Sequence, residues 1–328
     1  MREKDMELEM ARVLRKTVAT KKRTPGNRKA VVGLDGFIDE IVHVVDTRKN
    51  HAEYKRLDLM SDYAGRISSY AGMSGNIEYV TQRIKLGGNG PIMANALAAL
   101  DVPTTYVGNI GWPEVHPVFR AMEERMDLIT LAEPCHTDAV EFHDGKIMVG
   151  KMAPVSEVNW DRLMNVVGLP KLTDMLDAAD LLALVNWSML PYMPDIWEKL
   201  LEEICPKINP ERERFMFFDL ADPQKREPED IKRMLSLVQQ FSEYYRVIFG
   251  LNERESYQIA NVLGIEVEAE SADKTGRVAR TCEAIANKLG IYCMIVHPVE
   301  FAVTTVRGKT FIQEGPHTKR PIITTGAG

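Results

Sequence analysis

The sequence predicts an α/β protein: a mainly parallel sheet flanked by helices, carrying a small β excursion. Three observations carry that expectation. Short runs rich in Val, Ile and Phe alternate along the chain with segments of helical period, and strand, helix and strand in succession imply a parallel unit. In one stretch the alternation breaks, where residues 139–143 and 146–150 read as strands flanking Asp144-Gly145, a dipeptide favourable for a type I′ hairpin. Finally, 328 residues with 45% hydrophobic and 27% charged side chains suit one large domain with a sizeable core rather than a minimal module or a disordered chain.

Taken in order, residues 7–19 place Leu8, Met10, Ala11, Leu14 and Val18 at helical spacing, and a basic, turn-rich linker follows over 21–29. The first strand runs from Ala30 to Leu34, and a second is expected at 41–46. Leu59, Tyr63, Ile67 and Tyr70 then keep a helical period, and 77–84 returns to alternation before Gly87-Gly88. A short loop opens a helix over 94–100, and Thr104 to Gly108 is the next strand. Beyond the hairpin, strands are expected at 181–185, 215–218, 246–249, 293–296 and 301–306, with helices between them. The chain divides into an N-terminal helix and linker, 1–29, and one α/β domain, 30–328.

Composition excludes several function classes. Forty-one Lys and Arg against 47 Asp and Glu give a net charge of −6, which argues against a general nucleic-acid or anionic-membrane binder. No stretch is apolar enough to span a bilayer, and the first 19 residues lack a signal-type apolar core, so a cytoplasmic protein is expected. The four cysteines form no CxxC pair, as expected of reduced thiols. The histidines assemble no metal-ligand spacing. Gly308-Lys309-Thr310 resembles the end of a phosphate-binding loop, but Val303 stands where the first glycine is needed, and the segment reads as a hairpin turn. Gly87-Gly88-Asn89-Gly90 lacks the spacing of a dinucleotide fingerprint, which disfavours a nicotinamide enzyme.

Three clusters remain. Asp35 and Asp39 lie just beyond the first strand, where a parallel sheet opens its ligand crevice and carboxylates can accept hydrogen bonds from sugar hydroxyls; Asp and Gly also simply form turns. Gly87-Gly88-Asn89-Gly90 allows close backbone approach to a ligand, or makes a tight connection into a helix. Thr325-Gly326-Ala327-Gly328 follows a strand-like segment, and its amides can form an anion-binding nest or a loose end. Asn186, Asp219 and Asp222 also fall at carboxyl ends of expected strands, with turn chemistry the simpler reading of Asp222-Pro223. Asn252 and Glu255 form an Asn-x-x-Glu element that also reads as a helix capping box.

Together and in this order the clusters resemble the ribokinase-like family of PfkB-type carbohydrate kinases, over about 31–328. The resemblance implies a helix-flanked sheet with a β lid, whose strands would come from about 40–50, 77–85 and 138–151, and which can pair two lids in a homodimer. It implies phosphoryl transfer from ATP to a hydroxyl of a sugar or related small alcohol, with Mg2+. Gly87, Gly88 and Asn89 resemble the substrate-side signature, with Pro91 to Asn95 closer to ADP-dependent sugar kinases, so that ADP stays open as donor. The resemblance makes Asp39 the sugar-binding carboxylate, with Asp35 the competing assignment, while Asn186 and Asp219 are read as polar cleft lining from their places at carboxyl ends of strands. Asn252 and Glu255 would place magnesium and phosphate indirectly, and Thr325 would lie at the nucleotide.

Gly326, Ala327 and Gly328 would supply the anion hole. The catalytic aspartate of this family follows that Gly-Ala-Gly, and the sequence stops there. The expectation is therefore a kinase cut before its base, which as a general base is worth about 10²–10⁴ in rate, so that these residues alone would turn over weakly. The alternative is a catalytically silent sugar-binding or regulatory relative.

Overall fold

The computed structural model describes residues 28–267 and 273–315. The helix expected over 7–19, nearly all of the linker and the Thr325 to Gly328 segment lie outside the described residues. Fourteen strands are described. They are β1 (Ala30–Leu34), β2 (Phe37–Arg48), β3 (Tyr54–Arg56), β4 (Tyr79–Gly87), β5 (Thr104–Gly108), β6 (Asp127–Thr130) and β7 (Cys135–Glu141), then β8 (Lys146–Lys151), β9 (Leu181–Leu184), β10 (Phe215–Asp219), β11 (Arg246–Leu251), β12 (Cys293–Val296), β13 (Phe301–Val306) and β14 (Lys309–Glu314). The helices are α1 (Met60–Ser69), α2 (Asn89–Ala99), α3 (Arg120–Glu123), α4 (Trp160–Val166), α5 (Leu169–Ala178), α6 (Met193–Lys199), α7 (Pro228–Phe241), α8 (Glu253–Val262) and α9 (Lys274–Leu289).

Nine strands make the large sheet in the order β14-β13-β12-β11-β10-β9-β1-β5-β6. From β12 to β6 every pair is parallel, and β13 and β14 close one edge as an antiparallel hairpin. Its turn is Arg307-Gly308, with φ of 50° and 69°, as the sequence around Gly308-Lys309-Thr310 predicts. Alternation in β1 explains the layering. Val31 joins a core with Leu182, Leu184, Trp197 and Phe241 on one face, while Ala30 and Val32 join Ala94, Tyr106 and Phe119 on the other.

The small sheet runs β3-β2-β7-β8, with β4 also paired to β2. β2 begins earlier than the sequence suggests, at Phe37, because Phe37, Asp39 and Ile41 alternate into a buried face. The hairpin at Asp144-Gly145 exists, but with a four-residue connection from Glu141 to Lys146 rather than a two-residue turn. Asp144 has a second task there. Its Oδ1 accepts from Met60 N at 3.0 Å and so satisfies an amide at the start of α1, while His143 N donates to the Asp58 carbonyl. α1 in turn covers Val42, Val44, Val140 and Phe142 through Tyr63, giving this sheet its own apolar cluster. Among the described residues no helix is long and apolar enough to cross a membrane, and the four cysteines are buried thiols.

Candidate active site

The strand order fixes where a ligand can enter. The connection from β1 to β5 passes through α2 on one face of the sheet, whereas that from β9 to β10 passes through α6 on the other, so the chain diverges between β1 and β9. Such a divergence leaves a crevice outside the carboxyl ends of the two strands. Gly33 pairs with Leu184 in register, and Asp35 and Asn186 follow immediately.

Asp35 is fully buried at that point. Its Oδ2 accepts from Asn89 N at 2.8 Å and from Asn186 Nδ2 at 2.7 Å, and its Oδ1 accepts from Gly90 N at 2.8 Å. Two of these donors are amides of the first turn of α2, which lack partners within the helix, and the positive end of the helix favours an anion there. Burial pushes the Asp35 carboxyl up to about 6, and the bonds from Asn186, Gly90 and Asn89 oppose the rise. Gly88 is required here, because φ is +95° and a Cβ would stand 2.7 Å from Asp35 Oδ2. Asp35 is thus occupied in anchoring the two-glycine loop. The Tyr106 hydroxyl, which donates to the Asp35 carbonyl, fixes the backbone beneath it. Sequence offers no signal for that role, since Tyr106 reads only as an inward residue of β5.

Asn186 sits at φ 61°, a left-handed conformation that asparagine tolerates better than most residues. Its Oδ1 is buried and unpartnered. On the next strand, Asp219 accepts from Asn89 Nδ2 at 2.7 Å. Burial raises the Asp219 carboxyl, and the Asn89 bond is the largest opposing influence. One strand further, Asn252 and Glu255 form a complete capping box at the start of α8: Glu255 N donates to Asn252 Oδ1 at 2.9 Å, and Asn252 N to Glu255 Oε2 at 2.8 Å. Glu255 is pushed up to about 7, first by burial, against the Asn252 amide, and further by the carboxylates of Asp219 and Asp222. Asp222 itself precedes the short turn Pro223–Lys225, as the Asp-Pro pair suggests.

Asp39 belongs to the small sheet. It lies in β2, with Lys85 of β4 and Thr137 of β7 as register partners, rather than in a loop beyond β1. A Cβ on Gly87 would stand 2.4 Å from its carboxyl carbon, so the glycine makes room for the acid. Burial raises this carboxyl, and Lys85, Lys146 and His136 moderate the rise. The structure therefore gathers Asp35, Gly88, Asn89, Asn186 and Asp219 in one network, sets Asp39 against Gly87, and lines up Asn252 and Glu255 beyond Asp219. Thr325, Gly326, Ala327 and Gly328 lie outside the described residues.

This fold and this crevice define a ribokinase-like carbohydrate kinase. Among solved structures, the fructokinase of Xylella fastidiosa superposes with a TM-score of 0.56 at 11% identity over 87% of this chain and 75% of that one. The ribokinase of Arabidopsis thaliana, solved with ribose and ATP, gives 0.54 at 15% identity over 92% and 82%. In sequence, the ketohexokinase of Haloferax volcanii is 29% identical over 308 residues, 93% of this chain and 79% of that protein. The prokaryotic ketohexokinase family model matches residues 9–328, and the chain belongs to that family.

Proposed function

We propose that the protein phosphorylates a ketohexose, using ATP and magnesium, in the cytoplasm. The observation that carries this reading is the row of polar groups at the carboxyl ends of four adjacent strands, Asp35 after β1, Asn186 after β9, Asp219 of β10 and Asn252 after β11, set at the point where the chain diverges. The similarity to a ketohexokinase supplies the acceptor class, and the ATP-bound fructokinase and ribokinase structures support the donor.

Asp39 is the carboxylate we assign to the sugar. Asp35 already accepts three hydrogen bonds, whereas Asp39 stands beside a glycine on the small sheet, which acts as the lid. The unpartnered Asn186 Oδ1 offers a further acceptor for a hydroxyl proton. Magnesium fits near Glu255. Asp219 and Asp222 both raise the Glu255 carboxyl, a field of the kind a divalent cation relieves, and magnesium takes oxygen ligands and keeps waters. When bound it would neutralise charge on the transferred phosphate. Asn252 and Glu255 would hold it indirectly, while the amides of Gly326, Ala327 and Gly328, with Thr325, would receive the transferring phosphoryl group. Positioning and electrostatics dominate such transfers. Through the edge of β8, which pairs with β7 alone among the described strands, two lids would pair in a homodimer.

The test incubates the purified full-length gene product with fructose, glucose or ribose and with ATP or ADP, with and without magnesium, and follows sugar phosphate by phosphorus NMR. Magnesium-dependent phosphorylation of fructose by ATP is expected. Transfer only to an aldose, or only from ADP, would overturn the assignment of acceptor or donor, and sugar binding without transfer would overturn the kinase reading of this chain.

A further inference from the structure

Away from the crevice, Glu40, His136 and Asp138 converge on the small sheet. Residues 39 and 40 of a strand point to opposite faces, so Glu40 lies on the face away from Asp39. Glu40 and Asp138 are direct register partners of the parallel β2–β7 pair, and His136 is two residues from Asp138 on the same face. His136 Nε2 stands 3.0 Å from Glu40 Oε2 and 3.1 Å from Asp138 Oδ1, and the three atoms all lie within 4.8 Å of one another. The side chains are largely shielded, with exposures of 29% for His136, 24% for Glu40 and 15% for Asp138.

We propose that these three side chains bind a first-row divalent cation of the zinc class. Three arguments support it. Bonds of about 2.0–2.1 Å in a tetrahedral site separate neighbouring ligand atoms by about 3.3 Å, close to the two short separations already present. Both carboxylates are held by further partners, as metal-binding carboxylates are. The Thr81 hydroxyl donates to Glu40 Oε1, and Lys151 Nζ lies 3.0 Å from Asp138 Oδ2 and 3.3 Å from Oδ1. Two carboxylates against one ammonium also leave the site net negative around a neutral imidazole. A mixed imidazole and carboxylate set suits zinc better than magnesium, so the site discriminates against the cation of the phosphoryl transfer.

Such an ion would pin β2 to β7 one residue from Asp39 and from its partner Thr137, stiffening the strands that carry the acceptor-side carboxylate. Without an ion, a protonated His136 bridging the two carboxylates would do part of the same work, and the experiment separates the two cases. Tag-free, chelator-stripped, full-length protein is titrated calorimetrically with Zn2+, and separately with Co2+ while visible absorption is recorded. One equivalent of zinc should bind, and cobalt should give the intense bands of a tetrahedral site. H136Q and D138N should each weaken zinc binding at least about tenfold, with circular dichroism confirming that both remain folded. Absence of zinc binding by the wild type at millimolar concentration, or wild-type zinc affinity in both variants, would overturn the proposal.

Discussion

Asn89 Nδ2 donates to Asp219 Oδ1 at 2.7 Å, joining the first residue of α2 to the last residue of β10, 130 positions further along the chain. The same residue gives its backbone amide to Asp35 at 2.8 Å. Asn89 therefore bridges the buried Asp35 and the half-buried Asp219, which flank the crevice, and β1, β9 and β10 share one polar floor. Both acids are raised by burial and restrained by this asparagine, so their protonation and the placement of the two-glycine loop are coupled.

The two acids of the Asp35 to Asp39 segment should separate cleanly on substitution. In D35N the new amide group faces backbone N–H donors, leaving at least one buried donor unsatisfied, which costs about 1–3 kcal/mol. The urea midpoint should fall accordingly. D39N should leave the midpoint unchanged or slightly higher, because burial disfavours the charged form. It should instead lower kcat/KM for the sugar by about 10- to 100-fold, the worth of hydrogen bonds to a charged group. A normal midpoint with lost sugar affinity in D35N would reverse the two roles.

Glu255 makes stability depend on pH in a stated direction. Its folded value of about 7 lies above the ordinary 4.5, so between these values the native state holds a proton that the unfolded chain has released. Stability contributed by this group is thus fully present at low pH and is lost as pH rises from about 4.5 to 7, by no more than about 3 kcal/mol. Other buried acids add slopes of the same sign, so the comparison must be with E255Q. Gln keeps an acceptor for Asn252 N and preserves the capping box while removing the charge. Urea unfolding of the two proteins from pH 5 to 8 should show a flatter profile for E255Q; parallel profiles would place the Glu255 titration elsewhere.

Why some of this was legible in sequence and some was not follows from range. The parallel core announces itself locally, since Ala30 to Leu34 and Phe215 to Phe218 are unbroken apolar runs bounded by polar turns. The Asn252 to Glu255 box spans four residues and is readable as a motif. The bond from Asn186 to Asp35 joins residues 151 apart, and nothing near either residue encodes it. Asp35 and Asp39 are alike in sequence, and only the start of β2 at Phe37 sends Asp39 into the small sheet and leaves Asp35 in the connection beyond β1. Glu40, His136 and Asp138 have no metal-ligand spacing along the chain, because a parallel register rather than a local motif assembles them.

The two glycines of the loop should fail differently. At Gly87 a Cβ collides with the Asp39 carboxyl, a side chain that can rotate away, so G87A should raise the sugar KM with little loss of stability. At Gly88 the collision is with Asp35, which its three donors hold in place, and φ is +95°. G88A should therefore lower the melting temperature as well as activity, with an extended backbone at positive φ, essentially glycine-only, alone costing about 1–3 kcal/mol. Steady-state kinetics and calorimetric melting of both variants test the split, and equal losses of stability would refute it.

Asn186 combines an uncommon backbone with a buried bond, and two substitutions can resolve these contributions. N186G keeps the backbone at φ 61° without a Cβ penalty but removes the donor to Asp35 Oδ2. N186A removes the donor and adds the penalty, so it should be less stable than N186G by about 1 kcal/mol. Both should be less stable than the wild type by about 1.5–3 kcal/mol where Asp35 is ionised, the worth of a charge-assisted bond. Because that bond holds the Asp35 carboxyl below where burial alone would put it, its loss should raise Asp35 above its present value of about 6. The deficit should consequently grow as pH rises from 5 to 8, because the unassisted carboxylate must then ionise in a buried site. Urea unfolding at the two pH values measures this, and an N186G protein matching the wild type at both would show that Asn186 does not hold Asp35.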